Sequence, residues 1–529
     1  DDVESRGLGD VYKRQVWRGA FVKRSSFEWS YKKNGNMKRL ILPIACGICT
    51  VTSDAQTDKQ PHPNVIFIYA DDLGYTDLSC TGSRFYETPH IDKLAREGVC
   101  FTQSYAACPV SSPSRAALLT GKYPARINLT DYIPGDRAYG PHKDQRLASL
   151  PFNLHLSKDE ITMAEAFRQN GYSTFMAGKW HLAESAEYYP EQNGFDINIG
   201  GNNTGHPSKG YFSPYGNPQL KDGPEGEYLT DRLTDEVIRY ISEPKEKPFF
   251  VYLSYYTVHL PLQAKAEKIA KYRRKLSRAV PADSSFVKKG ETYHKLVQDI
   301  PAYAAMVESL DENIGRLLDT LHRSGLDERT IVVFTSDNGG MATSNTTRNI
   351  PTSNLPLRAG KGYLYEGGIK VPAIIRWSGH LKGRQVSDTP IIGTDYYPTL
   401  LDLCGLPLLP GQHVDGVSMK PVLQGGRLSR PSLFWHYPHY SGGLGGRPSA
   451  AIREGDYKLI EFFEDHHVEL YNVIQDESEE KDLSQIYPEI ADGLRKKLYL
   501  WYKEVGARMP VDNPHYVSPV KDSDSFENK

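Results

Sequence analysis

The amino-acid sequence predicts an α/β fold with a doubly wound mixed sheet, followed by a smaller C-terminal α+β domain. Three observations lead to this prediction. Near-continuous apolar runs, typical of strands buried on both faces, recur up to about residue 427. Segments with helical spacing of their apolar residues separate these runs. Beyond about residue 428 the runs become short and are split by tight turns, which favours a small antiparallel sheet.

Length and composition limit the classes of function. The chain has 529 residues, of which 39% are hydrophobic and 24% charged, enough for one large domain and a smaller one. A formal net charge of -2 argues against nucleic-acid binding or membrane-surface binding driven by bulk electrostatics. Beyond the N-terminal region no apolar run is long enough to cross a bilayer. We therefore expect no nucleic-acid partner and no stable membrane insertion.

The N-terminal region has the features of an exported protein. Residues 1–36 contain no apolar run and no periodicity, and are predicted to be a disordered extension or an artefact of gene assignment. Residues 37–55 match a secretory signal peptide, with a basic pair, the apolar run Leu40–Val51 and small residues up to Ala55. The sequence therefore predicts a periplasmic or secreted protein. The residues before Cys46 make a poor lipobox, so a lipoprotein is the less favoured alternative.

The main domain, predicted for residues 61–427, alternates strands and helices. Its first helix is capped by Thr88, has Pro89 in its first turn and stops at Gly98. The Lys-rich segment 264–295 is predicted to be a helical or mobile insertion. Strands are predicted at Asn64–Ala70, Val99–Tyr105, Tyr172–Ala177, Pro248–Tyr256, Thr330–Thr335 and Val371–Trp377, and helices at Thr88–Gly98, Ile161–Asn170, Tyr228–Ile241, Ala304–Leu321 and Asp395–Leu403.

The C-terminal subdomain is predicted to span residues 428–510, and residues 511–529 to be a polar tail. Turn signals such as Glu454-Gly455-Asp456 separate its short strands. The predicted strands are Leu433–Tyr437, Ala450–Arg453, Tyr457–Phe463 and His467–Asn472, and Ile486–Val505 has helical spacing.

Polar and titratable residues directly follow several strands of the main domain. In open α/β sheets, ligands bind outside the carboxyl ends of the strands, so we expect these side chains to converge at one edge. Adjacent carboxylates such as Asp71 and Asp72 repel each other unless a cation or strong donors lie between them, although a solvated turn is the alternative. The residues that follow the strands are Asp71, Asp72, Lys179, His181, His259, Asp337 and Asn338.

Four of these residues form a candidate metal site. Asp71, Asp72, Asp337 and Asn338 offer hard oxygen ligands, which suit Ca²⁺ or Mg²⁺ rather than zinc. No His-x-x-His motif or cysteine cluster suggests zinc.

The segment Ser111–Lys122 combines a hydroxyl-rich turn, a lone arginine and a short apolar helix that stops at Gly121. An ordinary Ser-rich helix N-cap is one explanation. The pattern Ser-x-Pro-x-Arg followed by Leu-Thr-Gly resembles the signature of the type I, formylglycine-dependent sulfatases, in the Ser-type form of bacterial, arylsulfatase-like glycan sulfatases. Cys108 is out of register, because Val110 and Ser112 stand where the proline and the arginine would have to be.

The resemblance extends over roughly residues 61–510, because further motifs of the family occur in the family's order. They are Asp-Asp-Leu-Gly at 71–74, Gly-Lys-Trp-His at 178–181, Asp-Asn-Gly at 337–339 and Gly-Lys-Gly at 360–362, with His259 between them. The resemblance implies an alkaline-phosphatase-like fold and the hydrolysis of sulfate esters. It implies that Ser111 is oxidised to formylglycine (3-oxoalanine) by an anaerobic radical-SAM sulfatase-maturating enzyme.

The resemblance also implies a role for each matching residue. The hydrated formylglycine would attack sulfur, with Arg115 and Lys179 orienting residue 111. His259, helped by Lys361, would protonate the leaving oxygen, and His181 would assist sulfate release. Calcium, with magnesium as the alternative, would be held by Asp71, Asp72, Asp337, Asn338 and residue 111.

The substrate is predicted only by class. The Tyr-rich segments 252–259 and 435–440 resemble those of Bacteroidetes glycan sulfatases, which favours a sulfated carbohydrate such as 4- or 6-sulfated galactose or N-acetylgalactosamine. A phosphodiesterase or phosphonate hydrolase of the same superfamily and an inactive glycan-binding homologue are the alternatives. Candidate substrate contacts, for each of which a surface or packing role is the alternative, are His206, Arg358, His436 and His439.

Overall fold

The computed structural model describes residues 62–135, 141–278 and 284–518. The predicted extension 1–36, the predicted signal peptide 37–55 and residues 519–529 lie outside the described residues.

Strands and helices alternate along most of the described chain. The strands are β1 (Asn64–Ala70), β2 (Val99–Phe101), β3 (Ser104–Tyr105), β4 (Leu147–Ala148), β5 (Ser173–Gly178), β6 (Ile197–Ile199), β7 (Phe249–Ser254), β8 (Phe286–Lys289), β9 (Thr292–Lys295), β10 (Thr330–Ser336), β11 (Thr343–Ser344), β12 (Ala373–Trp377), β13 (Gln385–Ser387), β14 (Ile391–Ile392), β15 (Ser432–Tyr437), β16 (Ser449–Glu454), β17 (Tyr457–Phe462), β18 (Val468–Asn472) and β19 (Val511–Asp512). The α-helices are α1 (Pro89–Glu97), α2 (Ser111–Thr120), α3 (Met163–Gln169), α4 (Leu229–Ser242), α5 (Ala266–Leu276), α6 (Pro301–Arg323), α7 (Glu366–Ile369), α8 (Tyr396–Leu403), α9 (Lys420–Leu423) and α10 (Pro488–Val505).

An eight-stranded mixed sheet forms the centre of the protein, in the order β13-β2-β12-β10-β1-β7-β5-β6. Strands β10, β1, β7, β5 and β6 are parallel, and β12 joins them antiparallel to β10. Val65 of β1 lies opposite Ile331 on one side and Phe250 on the other. The carboxyl ends of β5, β7, β1 and β10 therefore lie side by side, as the sequence predicted for a doubly wound mixed sheet.

Helices cover both faces of this sheet. Ile66 and Ile68 of β1 belong to the core shared with α1, α4 and α6. Val65, Phe67 and Tyr69, which point the other way, belong to the core shared with α2, α3 and α8. Burial of each such large apolar side chain stabilises the fold by about 1.5–3 kcal/mol. This two-sided burial explains why β1 is a continuous apolar run without polar alternation.

The C-terminal part is a four-stranded antiparallel sheet, β15-β16-β17-β18, with α10 against it. Phe434 of β15 stacks on Trp501 of α10 at a centroid distance of 4.9 Å. On the opposite side, Lys458 Nζ lies 2.8 Å from Glu366 Oε1 and 2.7 Å from Glu479 Oε1, and all three side chains are buried. This ion cluster fixes the small sheet to α7 of the main domain, because separating it would leave buried charges unpaired.

Two segments differ from the sequence-based expectation. The Lys-rich segment 264–295 contains α5, as expected, but its second half is the β8–β9 hairpin, which joins β11 in a three-stranded sheet. Strand β19, in the segment predicted as a polar tail, pairs with β4 through backbone hydrogen bonds. Short two-residue strands have too few side chains to produce a detectable period. None of the described helices is both long and apolar enough to span a membrane.

Candidate active site

The carboxyl ends of four neighbouring strands bring the predicted polar residues together. Asp71 follows β1, Lys179 follows β5 and Asp337 follows β10. Asp72 and His181 both have positive φ values, 62° and 57°, in the left-handed region that non-glycine residues rarely adopt. The turn at Asp72 lets its backbone N–H donate to Asp337 Oδ1 at 3.1 Å.

Three buried carboxylates form the centre of this cluster. Ligand oxygens of Asp71, Asp72 and Asp337 all lie within 4.8 Å of one another, and none of the three residues is more than 4% exposed. Burial raises the pKa of Asp71 to about 8, although Lys179 opposes this shift. Burial acts in the same direction on Asp72, but Lys361 and His259 outweigh it and lower the pKa of that carboxyl.

Buried cations balance the three carboxylates. Arg115 donates from Nε and Nη2 to Asp337 Oδ2 at 3.0 and 2.7 Å. Lys179 Nζ contacts both oxygens of Asp71 at 2.8 Å, and Lys361 Nζ contacts those of Asp72 at 2.7 and 2.8 Å. Such pairing is what permits ionised groups to remain inside a protein.

Ser111 begins α2 beside these groups. Its Oγ lies 3.3 Å from Asp71 Oδ1, 3.4 Å from Asn338 Oδ1 and 3.2 Å from Lys179 Nζ, and the residue is 2% exposed. The N-terminal end of a helix favours negative charge, so an anion at residue 111 would be stabilised by α2 as well as by Lys179.

The donor set fits a hard divalent cation. Carboxylate oxygens of Asp71, Asp72 and Asp337 converge, and the Oδ1 atom of Asn338 and the Oγ atom of Ser111 lie next to them. Asp71 is a carboxyl that burial alone would leave protonated at neutral pH, and a cation would restore its ionised form. The cluster of three could therefore bind a metal ion, with the oxygen ligands that Ca²⁺ and Mg²⁺ prefer.

His181 is held in a single tautomer. Its Nε2 lies 2.6 Å from the carbonyl oxygen of Ile133 and must donate to it, which leaves Nδ1 as an acceptor. Nδ1 is buried and has no hydrogen-bond partner among the described residues. Burial and the charge of Lys179 lower the pKa of His181 well below its ordinary range. His181 is therefore a neutral imidazole that can accept a proton at Nδ1.

The loop that carries His206 lies against His181. A Cβ at Gly205 would come within 2.4 Å of His181 Cε1, so only glycine lets the loop approach the imidazole so closely. His206 follows directly and is exposed. The structure thus places His206 next to Gly205, which contacts His181. The sequence gave no indication of this contact.

His259 approaches the carboxylates from the end of the segment after β7. Its Nδ1 donates to the carbonyl oxygen of Leu260 at 2.8 Å, and its Nε2 lies 3.6 Å from Asp72 Oδ2. Burial, with the charges of Lys361 and Lys179, lowers the pKa of His259 to about 3, although Asp72 opposes the shift. Nε2 is therefore the atom through which His259 can exchange a proton.

Arg358 lies outside the carboxylate cluster, in a neighbouring cleft. Its guanidinium stacks on the ring of Tyr365 at 3.8 Å, and Nη1 donates to Tyr471 Oη and to the carbonyl oxygen of Glu479. The side chain of Arg358 remains 34% exposed.

The two histidines of the C-terminal segment are buried, which does not fit the predicted substrate contacts. His436 belongs to β15, is 3% exposed and has Nε2 3.1 Å from the carbonyl oxygen of Arg508. His439 is fully buried, with Nε2 2.9 Å from Thr130 Oγ1 and its ring against Phe152. Neither imidazole offers surface to a ligand, because Phe463 and Tyr502 pack on His436, and Phe152 packs on His439.

The burial of His436 predicts an acid-sensitive component of stability. Burial lowers its pKa from 6.5 to about 4, so the unfolded chain binds a proton at higher pH than the folded protein does. The contribution of His436 is complete above pH 6.5 and is lost as the pH falls towards 4, by up to about 3 kcal/mol in the free energy of unfolding. We expect His436→Phe to lose less stability than the wild type between pH 7 and pH 4, measured by urea unfolding. His322→Gln, at an exposed histidine, should behave as the wild type; identical pH profiles for His436→Phe and the wild type would contradict the prediction.

Sequence reasoning missed three groups that support the site. Ser254 Oγ accepts a hydrogen bond from Arg115 Nη1 at 2.6 Å. A serine at the end of an apolar strand has no feature in the sequence that indicates such a contact. The carbonyl oxygen of Ile133 and the glycine at 205 act through the backbone, so no side-chain motif marks them.

Known proteins similar to this chain in sequence or in structure include several sulfatases. The sulfatase family model matches residues 63–406, and the model for the C-terminal domain of N-sulphoglucosamine sulphohydrolase matches residues 359–504. A sulfatase of Formosa agariphila is 31% identical, covering 85% of this chain and 90% of its own length. N-acetylgalactosamine-6-sulfatase of Rattus norvegicus is 29% identical, covering 80% and 75%. The solved structure of Ps i-CgsB in complex with k-i-k-neocarrahexaose has a TM-score of 0.67 and 28% identity, covering 87% of this chain and 95% of that one.

The fold and the site define a hydrolase of the alkaline-phosphatase-like class, with its centre at the carboxyl edge of a mixed sheet. The chain belongs to the sulfatase family. It is accordingly a sulfuric ester hydrolase, as the sequence motifs predicted.

Proposed function

We propose that this sulfatase removes sulfate from glycans with a formylglycine made from Ser111 and a calcium ion, magnesium being the alternative. The observation that carries the proposal is the position of Ser111 Oγ, within 3.4 Å of Asp71, Asn338 and Lys179. Among the described residues no imidazole contacts Ser111 Oγ, so a plain serine in that place would lack a histidine to activate it. A formylglycine would supply, as its hydrate, two hydroxyl groups on one carbon: one would attack sulfur after losing its proton, and loss of the proton from the other would release sulfate and restore the aldehyde.

The cation would be held by Asp71, Asp72, Asp337, Asn338 and residue 111. When bound, it would polarise a sulfate oxygen and offset the negative charge of the carboxylates. Arg115 and Lys179 hold Asp337 and Asp71 in place and keep positive charge beside residue 111. Positive charge fixed in a water-poor site stabilises the charge that develops on a sulfuryl group during transfer.

Two imidazoles would move protons. We propose that the negative charge of a bound sulfate ester raises the pKa of His259, so that Nε2 takes up a proton and passes it to the leaving alcohol. Lys361 would assist, because both side chains lie against Asp72 on the more exposed side of the cluster. His181 would accept a proton at Nδ1 during sulfate release, since its Nε2–H is committed to the carbonyl oxygen of Ile133. Opposite proton-transfer roles suit two histidines whose hydrogen bonds leave different nitrogens available.

The substrates we propose are 4- or 6-sulfated galactose or N-acetylgalactosamine units of a glycan. The similarity to an N-acetylgalactosamine-6-sulfatase supports the class of sugar. His206 remains a candidate substrate contact because it is exposed beside the glycine that contacts His181. Arg358 remains a candidate because part of its side chain is exposed in the neighbouring cleft. Maturation by an anaerobic radical-SAM enzyme before export to the periplasm or medium would account for the Ser-type motif together with the signal-like segment 37–55.

A phosphonate monoester hydrolase of Agrobacterium radiobacter shares the fold, with a TM-score of 0.57 and 20% identity, and at that identity the likeness concerns the fold alone. A phosphoester or phosphonate hydrolase with an unmodified Ser111 is the second function to test. An inactive glycan-binding homologue is less favoured, because each predicted ligand and proton-transfer residue is present.

The test is to co-express the protein with a maturating enzyme and screen 4- and 6-sulfated galactose and N-acetylgalactosamine for sulfate release. We expect hydrolysis of at least one sugar sulfate, an aldehyde at position 111 seen as a small mass loss on its peptide, and inhibition by a chelator. Protein expressed without the maturating enzyme is the control and should be inactive. Full activity of protein that carries an unmodified serine would overturn the formylglycine assignment, and hydrolysis of phosphonate esters alone would favour the second function.

A further inference from the structure

The segment Leu357–Tyr365 lines part of a cleft of about 1520 Å³. One wall is the β8–β9 hairpin, which contributes Lys289 and His294, and the opposite wall is the C-terminal sheet, which contributes Phe462 and Glu469. Clefts that hold one small ligand usually measure about 300–1,000 Å³, so this cleft has room for more than a single sugar ring.

A single chain segment connects the cleft to the catalytic centre. Within Leu357–Tyr365, Lys361 reaches Asp72, whereas Arg358 and Tyr363 line the cleft. The backbone N–H of Lys361 also donates to the carbonyl oxygen of Gly340, two residues after the predicted metal ligand Asn338. Because two residues of chain span at most about 7 Å, the cleft that Tyr363 lines begins close to the centre that Lys361 reaches, within the length of a short oligosaccharide.

Aromatic rings line the cleft in stacked pairs. Phe462 and His467 stack in parallel, with centroids 4.5 Å apart and planes at 4°, and 43% of the His467 side chain is exposed. Tyr363 and Tyr365 form a second pair at 6.2 Å and 30°. Flat ring faces with polar edges suit the apolar C–H faces of pyranose rings, whose hydroxyl groups can bond to polar neighbours.

The charges of the cleft favour sugars without sulfate. Six acidic residues and four basic ones line it: Asp144, Glu291, Glu464, Glu469, Glu479 and Glu480 against Lys289, Lys295, Arg358 and Arg447. Charges of both signs are already engaged: Glu479 is fully buried and pairs with Lys458, Glu464 accepts from Tyr440, and Glu469 accepts from Tyr365 and Tyr471. The acidic excess therefore comes from Asp144, Glu291 and Glu480, because most of the basic side chains are engaged as well. Lys295 pairs with Asp299 at 2.5 Å, Arg447 with Glu464 at 3.5 Å, and Arg358 is stacked and hydrogen-bonded. Carboxylates accept hydrogen bonds from sugar hydroxyls but repel sulfate groups.

We propose that this cleft binds uncharged sugar residues next to the sulfated one, so that the enzyme acts on oligosaccharides that carry isolated sulfates. The inference rests on the proposed glycan sulfatase function and adds the kind of chain that surrounds the sulfate. The stacked pair Phe462–His467 supplies binding energy, and the acidic lining selects against a second sulfate at that position.

The test compares three probes with the matured enzyme: galactose 6-sulfate, a galactose-based tetrasaccharide with one terminal 6-sulfate, and the same tetrasaccharide with a sulfate on every residue. We expect kcat/KM for the monosulfated tetrasaccharide to exceed that for galactose 6-sulfate about tenfold, and the fully sulfated chain to gain nothing. His467→Ala and Phe462→Ala should raise KM for the monosulfated tetrasaccharide about three- to tenfold, the range of one aromatic contact. Neither substitution should change the hydrolysis of galactose 6-sulfate.

His380→Ala is the matched control, because His380 also stacks on an aromatic ring, Trp377 at 4.1 Å, but does not line the cleft. It should leave all three rates unchanged. Equal kcat/KM for the monosaccharide and the monosulfated chain, or a preference for the fully sulfated chain, would overturn the cleft proposal while leaving the sulfatase function intact. Absence of turnover with every probe would refute the proposed substrate instead. Calorimetric titration of the desulfated tetrasaccharide then tests the cleft separately. We expect binding that is weaker in His467→Ala, and the absence of binding would contradict the cleft proposal.

Discussion

Ser111→Ala should lower kcat for sulfate-ester hydrolysis by about four to six orders of magnitude, the loss typical when a covalent nucleophile is removed. Ser111 Oγ is the hydroxyl that lies between Asp71, Asn338 and Lys179, and no other described hydroxyl contacts all three. The substitution removes the precursor of the formylglycine but leaves the ion pair of Lys179 and Asp71 in place. The measurement is sulfate release from galactose 6-sulfate, with thermal unfolding to show that the fold persists.

Ser114→Ala is the matched control for this substitution. Ser114 lies on the same helix and is equally buried, and among the described residues its hydroxyl makes only a long contact of 3.4 Å with Tyr69 Oη. We expect this variant to retain turnover within a few-fold of the wild type. Substantial activity in Ser111→Ala would show that residue 111 is not the nucleophile, whatever modification it carries.

The strands that deliver the site could be predicted from sequence because they are buried on both faces. Asn64–Ala70 and Thr330–Ser336 are long apolar runs with a polar residue directly after each, so both the strand and the position of its ligand are visible in the sequence. The convergence of Asp71, Lys179 and Asp337 follows from the parallel pairing of neighbouring strands. That pairing is a general property of doubly wound sheets rather than of any one side chain.

What the sequence did not indicate depends on tertiary packing. The motif-like segment Trp435-His436-Tyr437 suggested substrate contact, but the alternation of strand β15 turns His436 into the interior against Tyr502. The orientation of His181 depends on the carbonyl oxygen of Ile133, 48 residues away in the sequence, and on close approach of a glycine. Backbone groups and long-range neighbours of this kind leave no local period or motif.

Asp337 connects the two functions of the centre, metal binding and charge balance. Its Oδ2 accepts two hydrogen bonds from Arg115, and its Oδ1 accepts one from the backbone N–H of Asp72. Burial works against the ionised carboxyl, but Arg115, Lys179 and Lys361 outweigh it and hold the pKa of Asp337 well below its ordinary range. Asp337 is thus ionised at neutral pH and available as a cation ligand.

Asp337→Asn should therefore abolish metal binding and lower turnover at least about a thousandfold, because a bound cation supplies several kcal/mol of transition-state stabilisation. It should also cost about 3–5 kcal/mol in the free energy of unfolding, since Arg115 loses its buried partner. Metal content by plasma mass spectrometry, sulfate release and urea unfolding measure the three effects. Asp395→Asn is the control: Asp395 is equally buried and pairs with Arg430, but it is not one of the three clustered carboxylates, so this variant should lose comparable stability while keeping its metal. Metal content and turnover that survive in Asp337→Asn would remove this carboxylate from the cation site, whereas a loss of metal in both variants would trace the effect to destabilisation rather than to ligation.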